Sequence, residues 1–296
     1  MRKILLLSLS LMGLGMLLSC RPDRKPAFFP SSSVSPSAQK DLQYQTHRIQ
    51  QSIVHTLLIP ASSRFVLTPV ISPRLSSLES FAQKHGAIAA INGGFFDPEN
   101  QQSTSYVMQQ GVWVADPRQN KRLMNNPKLI PYFQKILNRT EFRRYRCGQT
   151  IRYDIALHHE ASLTGCQLLD ALGGGPRLLP ELTEVPEGFV DLANGKIIRD
   201  PLGSKRPNAR SAIGMTRDGS LLVVMVAQKP EAPTTSGLSL PALAAFMKAQ
   251  GVEQAMNLDG GSSSSFYYKG KTVYGKVNEK GNWVRREVFS VLLIQE

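Results

Sequence analysis

Apolar and polar positions along the chain divide it into short elements. Ile53–Ile59 and Phe65–Ile71 are β-branched or apolar runs on either side of Pro60-Ala61-Ser62-Ser63, a pattern that predicts a hairpin. Leu75, Leu78, Phe81 and Ala82 then recur at a helical period, predicting a helix over Leu75–His85 that Gly86 ends. Ala87–Ile91 reads as a buried strand. The turn Arg217-Asp218-Gly219-Ser220 between Ser211–Met215 and Leu221–Val226 is the clearest hairpin signal in the chain. Leu240–Gln250 follows as a helix, with Leu240, Leu243, Phe246 and Met247 on one face and Pro241 in its first turn. Beyond Gly251 come a strand at Gln254–Leu258 and a hairpin of Phe266–Tyr268 with Lys271–Tyr274 around Lys269-Gly270. A buried strand at Val288–Ile294 closes the chain. Strands outnumber helices and several are joined by tight turns. The expected fold class is α+β, one domain with a mixed, largely antiparallel sheet and a few helices.

The first forty residues carry no such pattern. Met1-Arg2-Lys3 precedes an apolar run, Ile4–Leu18, that falls short of the ~20 residues a membrane span needs and reads as the core of a secretory signal. It ends in Leu17-Leu18-Ser19-Cys20, which resembles a bacterial lipobox; a plain signal peptide cut near Cys20 is the alternative. Arg21–Lys40 is rich in proline and serine and reads as a tether. The expected organisation is therefore a signal over residues 1–19, a lipid-bearing Cys20 with a linker to residue 40, and a folded region over 41–296. This implies export and a lipid anchor in the cell envelope, with Arg21 favouring the outer membrane or the periplasmic face.

Charge narrows the partners. The formal net charge is +13, and subtracting the two cations of the leader leaves +11. A basic surface favours anionic partners. Nucleic acid is not expected, because export removes the opportunity and no basic helix or aromatic-basic interleaving is present. Cys147 and Cys166 are the cysteines besides Cys20. In an oxidising compartment a disulfide is the default, contributing roughly 3 kcal/mol by loop entropy. His158 and His159 between them invite a zinc reading, but the spacing matches no common zinc motif. No metal or other cofactor is expected.

Candidate chemistry lies in three glycine clusters at predicted strand ends: Asn92-Gly93-Gly94-Phe95-Phe96, Gly173-Gly174-Gly175-Pro176 and Asp259-Gly260-Gly261-Ser262-Ser263. Each alone reads as a turn, since glycine reaches positive φ cheaply. Three together suggest backbone that a ligand can approach closely, with amides able to cradle an anion. No Walker-type phosphate loop, dinucleotide fingerprint, nucleophile elbow or HExxH motif is present.

The order N-G-G-F-F, G-G-G-P, R-S-A-I-G and N-L-D-G-G-S-S resembles the phosphodiester glycosidase family, over roughly Ser52 to Leu293. Its animal members uncover mannose-6-phosphate by removing N-acetylglucosamine from a phosphodiester. The resemblance implies a hydrolase that splits a sugar-1-phosphodiester at the glycosidic bond, acting on an envelope or exopolysaccharide substrate. A non-catalytic binder of phosphorylated glycan is the alternative. It also implies roles. Asp259 would be base or nucleophile, Arg210 and the Gly260 and Gly261 amides would hold the phosphate, and Asn92 would orient a sugar hydroxyl or water. Gly93, Gly94, Phe95, Phe96, Gly174, Gly175, Ser262 and Ser263 would line the substrate site. Two departures stand out: Ser262 replaces a third glycine, and Ala227-Gln228-Lys229 stands where the family often has Asp-Gly-Arg. Asp97 is the next candidate carboxylate, and Arg143–Cys166 reads as an elaboration on the shared core.

Overall fold

In the computed structural model, residues 41–49 and 51–296 are described. The signal, Cys20 and the tether lie outside them. Every pairing between named strands is antiparallel. The strands do not form the single mixed sheet expected. They form three larger sheets and a small hairpin.

The six-stranded sheet runs Gln43–Ile49, Ser52–Ile59, Leu221–Ala227, Arg210–Thr216, Val252–Asn257 and Arg177–Leu179. Its inner face contributes Leu57, Ile59, Ile213, Val223, Met225 and Met256 to a central core. Its outer face, including Val54, Ala212, Val224, Val226 and Ala255, is covered by the helix Leu240–Ala249. A strand buried on both sides needs apolar residues at every position. That explains the uninterrupted run Leu221–Ala227, which is buried throughout. Ser239 caps the helix by accepting from the Ala242 amide at 3.3 Å.

A five-stranded sheet faces it: Lys271–Tyr274, Ser265–Tyr268, Ala89–Asn92, Val288–Gln295 and Val66–Ser76. Ile91, Leu292, Ile294 and Leu67 enter the same central core. Ala90, Leu293 and Tyr267 on its other face pack under the helix Leu78–Lys84. The third sheet, also five-stranded, runs Val112–Ala115, Val107–Gln109, Gln167–Gly173, Thr140–Cys147 and Thr150–Leu157.

The hairpin Arg210–Thr216 with Leu221–Ala227 forms as expected, as does Ser265–Tyr268 with Lys271–Tyr274. The hairpin expected of Ile53–Ile59 and Phe65–Ile71 does not. Ser52–Ile59 pairs with Gln43–Ile49 and Leu221–Ala227, whereas Val66–Ser76 pairs with Val288–Gln295 in the facing sheet. The turn after Pro60 (Ser63 N–H to Pro60 O, 2.9 Å) carries the chain across the core, so Leu57 and Leu67 pack face to face. The first helix is shorter than expected because Leu75 and Ser76 continue a strand and Ser77 supplies the cap. Arg143–Cys166 is no appendage here: its two strands belong to the third sheet, and Ile155 joins Phe142 in the central core. Cys147 and Cys166 form a disulfide with a Cα–Cα distance of 4.4 Å. The pairing extends the register Arg146↔Gln167 by one residue pair.

Candidate functional site

Antiparallel register brings the ends of several strands to one place. Asn92 and Asn257 are the last residues of their strands, Gly173 ends a third, and Arg210 begins a fourth. The three glycine clusters meet there through backbone contacts. The Asp259 amide donates to Gly93 O at 3.0 Å, and the Gly175 amide donates to Asn257 O at 2.8 Å. A Cβ on Gly94 would collide with the Gly173 carbonyl, and one on Gly174 would lie 2.8 Å from Asn257 O. The glycines are thus needed for close approach of the loops to one another.

That packing uses up the amides expected to cradle an anion. Gly93 N–H donates to Ser290 O at 2.8 Å, Gly94 N–H to Ser290 Oγ at 3.0 Å and Gly174 N–H to Thr140 O at 2.9 Å. Gly261 N–H donates to Ala209 O at 2.9 Å. The expectation of an open anion nest in the first two clusters does not hold, because their N–H groups already have protein acceptors.

Asn92 likewise departs from its expected role. It is fully buried, donating through Nδ2 to Asp259 O at 2.6 Å. Its Oδ1 accepts from Ser211 Oγ at 2.6 Å and the Ser265 amide at 3.2 Å. One side chain therefore ties the two facing sheets to the Asp259 backbone. Its Oδ1 is taken up by two donors and one Nδ2 hydrogen by the Asp259 carbonyl, so the side chain braces the Asp259 backbone.

Arg210 is engaged with backbone as well. Its Cα and Cδ lie against Gly260, but its guanidinium donates to four carbonyls: Leu238 O at 3.0 Å, Leu202 O at 2.9 Å, Gly203 O at 2.9 Å and Arg206 O at 3.0 Å. Burial lowers its pKa to about 10, with the Asp200 charge opposing. The fork expected to hold phosphate is engaged in tying the loop before its own strand to Leu238, just ahead of the helix Leu240–Ala249.

The cation that does stand beside Asp259 is Arg286, which sequence reasoning missed. Its Nη1 donates to Ser262 Oγ at 2.8 Å, and its guanidinium carbon lies 5.3 Å from the centre of the Phe96 ring. Arg286, Phe96, Ser262 and Asp259 are all partly exposed, so they form the mouth of the site. Burial raises the Asp259 pKa to about 6, while the Ser263 hydroxyl, the Arg286 charge and the Gly260 N–H act in the opposite direction. The only sequence signal for Arg286 was a basic pair, Arg285-Arg286, just before a buried strand.

A second cation flanks the other glycine loop. Arg139 lies 3.7 Å over the Phe189 ring and 6.0 Å from that of Phe95, which itself packs 5.6 Å from Phe189. Burial lowers its pKa to about 9. With Ser105, Tyr106, Glu141, Gly173 and Gly174 it lines a small cavity.

Asp97 is committed elsewhere, to Arg122 Nε at 2.8 Å and the Glu99 amide at 2.9 Å. Burial alone would raise its pKa, but those bonds hold it below the usual carboxylate range. Gln228, in the segment where the family often has Asp-Gly-Arg, is buried. It donates to Pro233 O and Ser236 O and accepts from the Val277 amide. A cavity of about 800 Å³ lies at the other end of the strand Val252–Asn257 and contains none of the glycine loops.

The sequence profile of the phosphodiester glycosidase family matches residues 85–295, and the chain belongs to that family. Among solved structures, the catalytic domain of zebrafish N-acetylglucosamine-1-phosphodiester alpha-N-acetylglucosaminidase, auto-inhibited by its pro-peptide, is similar. The two share 19% identity over 89% of this chain and 85% of that one, with a TM-score of 0.61. A hypothetical protein from Synechocystis matches at 18% identity and TM-score 0.55, covering 86% of this chain and 61% of that one. A Burkholderia pseudomallei protein described as exported matches at 15% identity and TM-score 0.53, over 83% and 74% of the two chains. At these identities the likeness is one of fold. No curated protein matches.

Proposed function

We propose that the protein hydrolyses a sugar-1-phosphodiester at its glycosidic bond, releasing free sugar and a phosphomonoester, on a glycan of the cell envelope or an exopolysaccharide. The observation that carries this reading is Asp259. Its pKa of about 6 makes it a stronger base than an ordinary aspartate, yet leaves it mostly ionised at neutral pH. Water attacks the anomeric carbon and gives its proton to the Asp259 carboxylate. The bond from that carbon to the bridging oxygen breaks, and its electron pair leaves with the phosphate. A phosphate monoester is a weak base and departs without the protonation an alcohol requires. One carboxylate then suffices where ordinary glycosidases place two. Arg286 neutralises the charge that develops on the phosphate. Arg210 and Asn92 hold the backbone that carries Asp259.

The products decide the matter. Incubation with an α-N-acetylglucosamine-1-phosphodiester of a simple alcohol should release reducing sugar and alkyl phosphate in equal amounts. Release of sugar-1-phosphate would instead mean P–O cleavage. The second reading, a binder of phosphorylated glycan, is favoured by Gln228, whose neutral and fully engaged side chain offers nothing to a substrate. Binding without either product would support it. Export and lipid anchoring through Cys20 belong to the same proposal. Cys20→Ala should move the protein from the membrane fraction to the soluble one or leave it uncleaved; unchanged fractionation and processing would refute the anchor.

A further inference from the structure

A cavity of about 150 Å³ opens beside the glycine site on the edge of the third sheet. Its walls are aromatic. Tyr106 and His158 stack in parallel with ring centres 3.7 Å apart. Trp113 is inclined at 63° to Tyr106 and 62° to His158, with ring centres 5.5 and 5.4 Å away. Tyr106 is 7% exposed, covered by His158 and with the Arg118 guanidinium carbon 5.9 Å from its ring centre, so the open aromatic surface at the cavity comes mainly from Trp113, which is 44% exposed. An indole left this open at a cavity mouth does little for the core, and its apolar face is available to a ligand.

The polar groups around that corner are held in place. His158 Nδ1 lies 3.0 Å from Glu141 Oε2, and Glu141 is itself buried and bonded through its other oxygen to Arg143 Nε at 2.7 Å. The imidazole cannot rotate, and its Nε2 has no partner among the described residues. At the rim, the Arg118 Nε and Nη2 donate to Asp116 at 2.9 and 2.6 Å, and Gln119 completes the edge.

Each feature narrows the ligand. A phosphate would need an uncompensated cation, and Arg118 is neutralised by Asp116. A purely apolar ligand would leave His158 Nε2 and the rim groups without partners. A pyranose ring offers both requirements: a face of C–H groups for the indole and hydroxyls at its edge for the imidazole and rim. The cavity is also coupled to the glycine loops. The Gly173 amide donates to Tyr106 O at 2.8 Å, and the Phe95 amide donates to Ser105 Oγ at 3.0 Å. Tyr106 lines both this cavity and the smaller one containing Arg139, Gly173 and Gly174.

We propose that Trp113, Tyr106 and His158 form a subsite for a neutral pyranose unit of the glycan that carries the phosphodiester. Placing that glycan as substrate rests on the function proposed above; the subsite itself binds sugar whether or not Asp259 cleaves. The chain has two tryptophans, so Trp283→Phe leaves Trp113 as the sole indole reporter. Titrating this variant with cellotetraose, with chitotetraose and with mannotetraose should give a saturable emission change with at least one of them, undisturbed by inorganic phosphate. By calorimetry on otherwise unaltered protein, Trp113→Ala should weaken that binding about tenfold or more, and Trp113→Phe, with a smaller ring, by less. Adding Asp259→Asn should leave it unchanged. Absence of a saturable response to any of the three up to about 10 mM overturns the proposal. So does binding that survives Trp113→Ala at full strength, or that phosphate displaces. Loss of turnover with binding retained bears only on Asp259, and binding lost with turnover of a simple alkyl phosphodiester retained bears only on the subsite.

Discussion

Among the carboxylates next to glycine loops, Glu187 and Asp259 have opposite surroundings. Glu187, 1% exposed, braces the second loop. It accepts from the Thr140 amide and hydroxyl at 2.7 Å each, the Arg177 amide at 2.8 Å and the Thr183 hydroxyl. Its oxygens are saturated, and a Cβ on Gly175 would strike one of them. Asp259, in the third loop, has lost much of its hydration and received less in return: one hydroxyl, one amide and a nearby charge. A carboxylate whose lost water is fully replaced becomes a structural member. One whose water is only partly replaced stays basic and is kept reactive by the same burial.

The contrast breaks first at Asp259. Asp259→Asn keeps the shape and removes the base, and should lower kcat/KM for a sugar-1-phosphodiester about 10³-fold. Activity within tenfold of the parent would assign the chemistry to another group. Glu187→Ala should behave in the reverse way. It strands several buried donors, so denaturant unfolding should show a loss of about 3 kcal/mol or more. A neutral outcome would mean the second loop is held by other means.

The two arginines sharpen the same distinction. Arg286→Ala should cost about 10- to 100-fold in kcat/KM with little change in the unfolding midpoint. Arg210→Lys keeps the charge but cannot reach four carbonyls at once. It should destabilise by about 1–2 kcal/mol and reduce activity only through the loop it clamps. If the two effects are exchanged, the assignment of roles is wrong.

The smallest effect is in pH. Because the folded-state pKa of Asp259 is raised to about 6 from 3.8, the protonated form favours folding. Its contribution is full below the unfolded value and is lost as pH rises through about 6. Asp259→Asn abolishes that loss. Relative to the parent, its thermal midpoint should climb between about pH 4 and pH 7. Discounted for partial exposure to about 1 kcal/mol, the gain is about 2–4 °C, readable by calorimetry. A flat difference across that range would show that burial does not perturb this carboxylate.

Local signals in the sequence carried the local structure. The Arg217–Ser220 turn, the helix Leu240–Ala249 and the alignment of glycine loops at strand ends could all be read from neighbouring residues. Partner choice could not. Ser52–Ile59 and Val66–Ser76 have the pattern of a hairpin, and nothing within either run reveals that each pairs with a strand more than a hundred residues away. The same limit applies at the site. Motif order located Arg210 and Asn92 beside Asp259, but a motif says nothing about which way a guanidinium turns or whether an amide is already engaged. Arg286 lay outside every motif. It became visible only when the last strand brought its preceding loop against Ser262 and Phe96.

That last strand has a consequence for how the protein is made. Val288–Gln295 lies between Ala89–Asn92 and Val66–Ser76, inside its sheet. Until this strand is in place, Val66–Ser76 has no neighbour in the sheet and Ala89–Asn92 has one only on its Ser265–Tyr268 side, so the central core stays open. The core therefore cannot close before this strand is made. Removing even the end of this strand would take away the closing step, so a C-terminal truncation should accumulate as protease-sensitive chain.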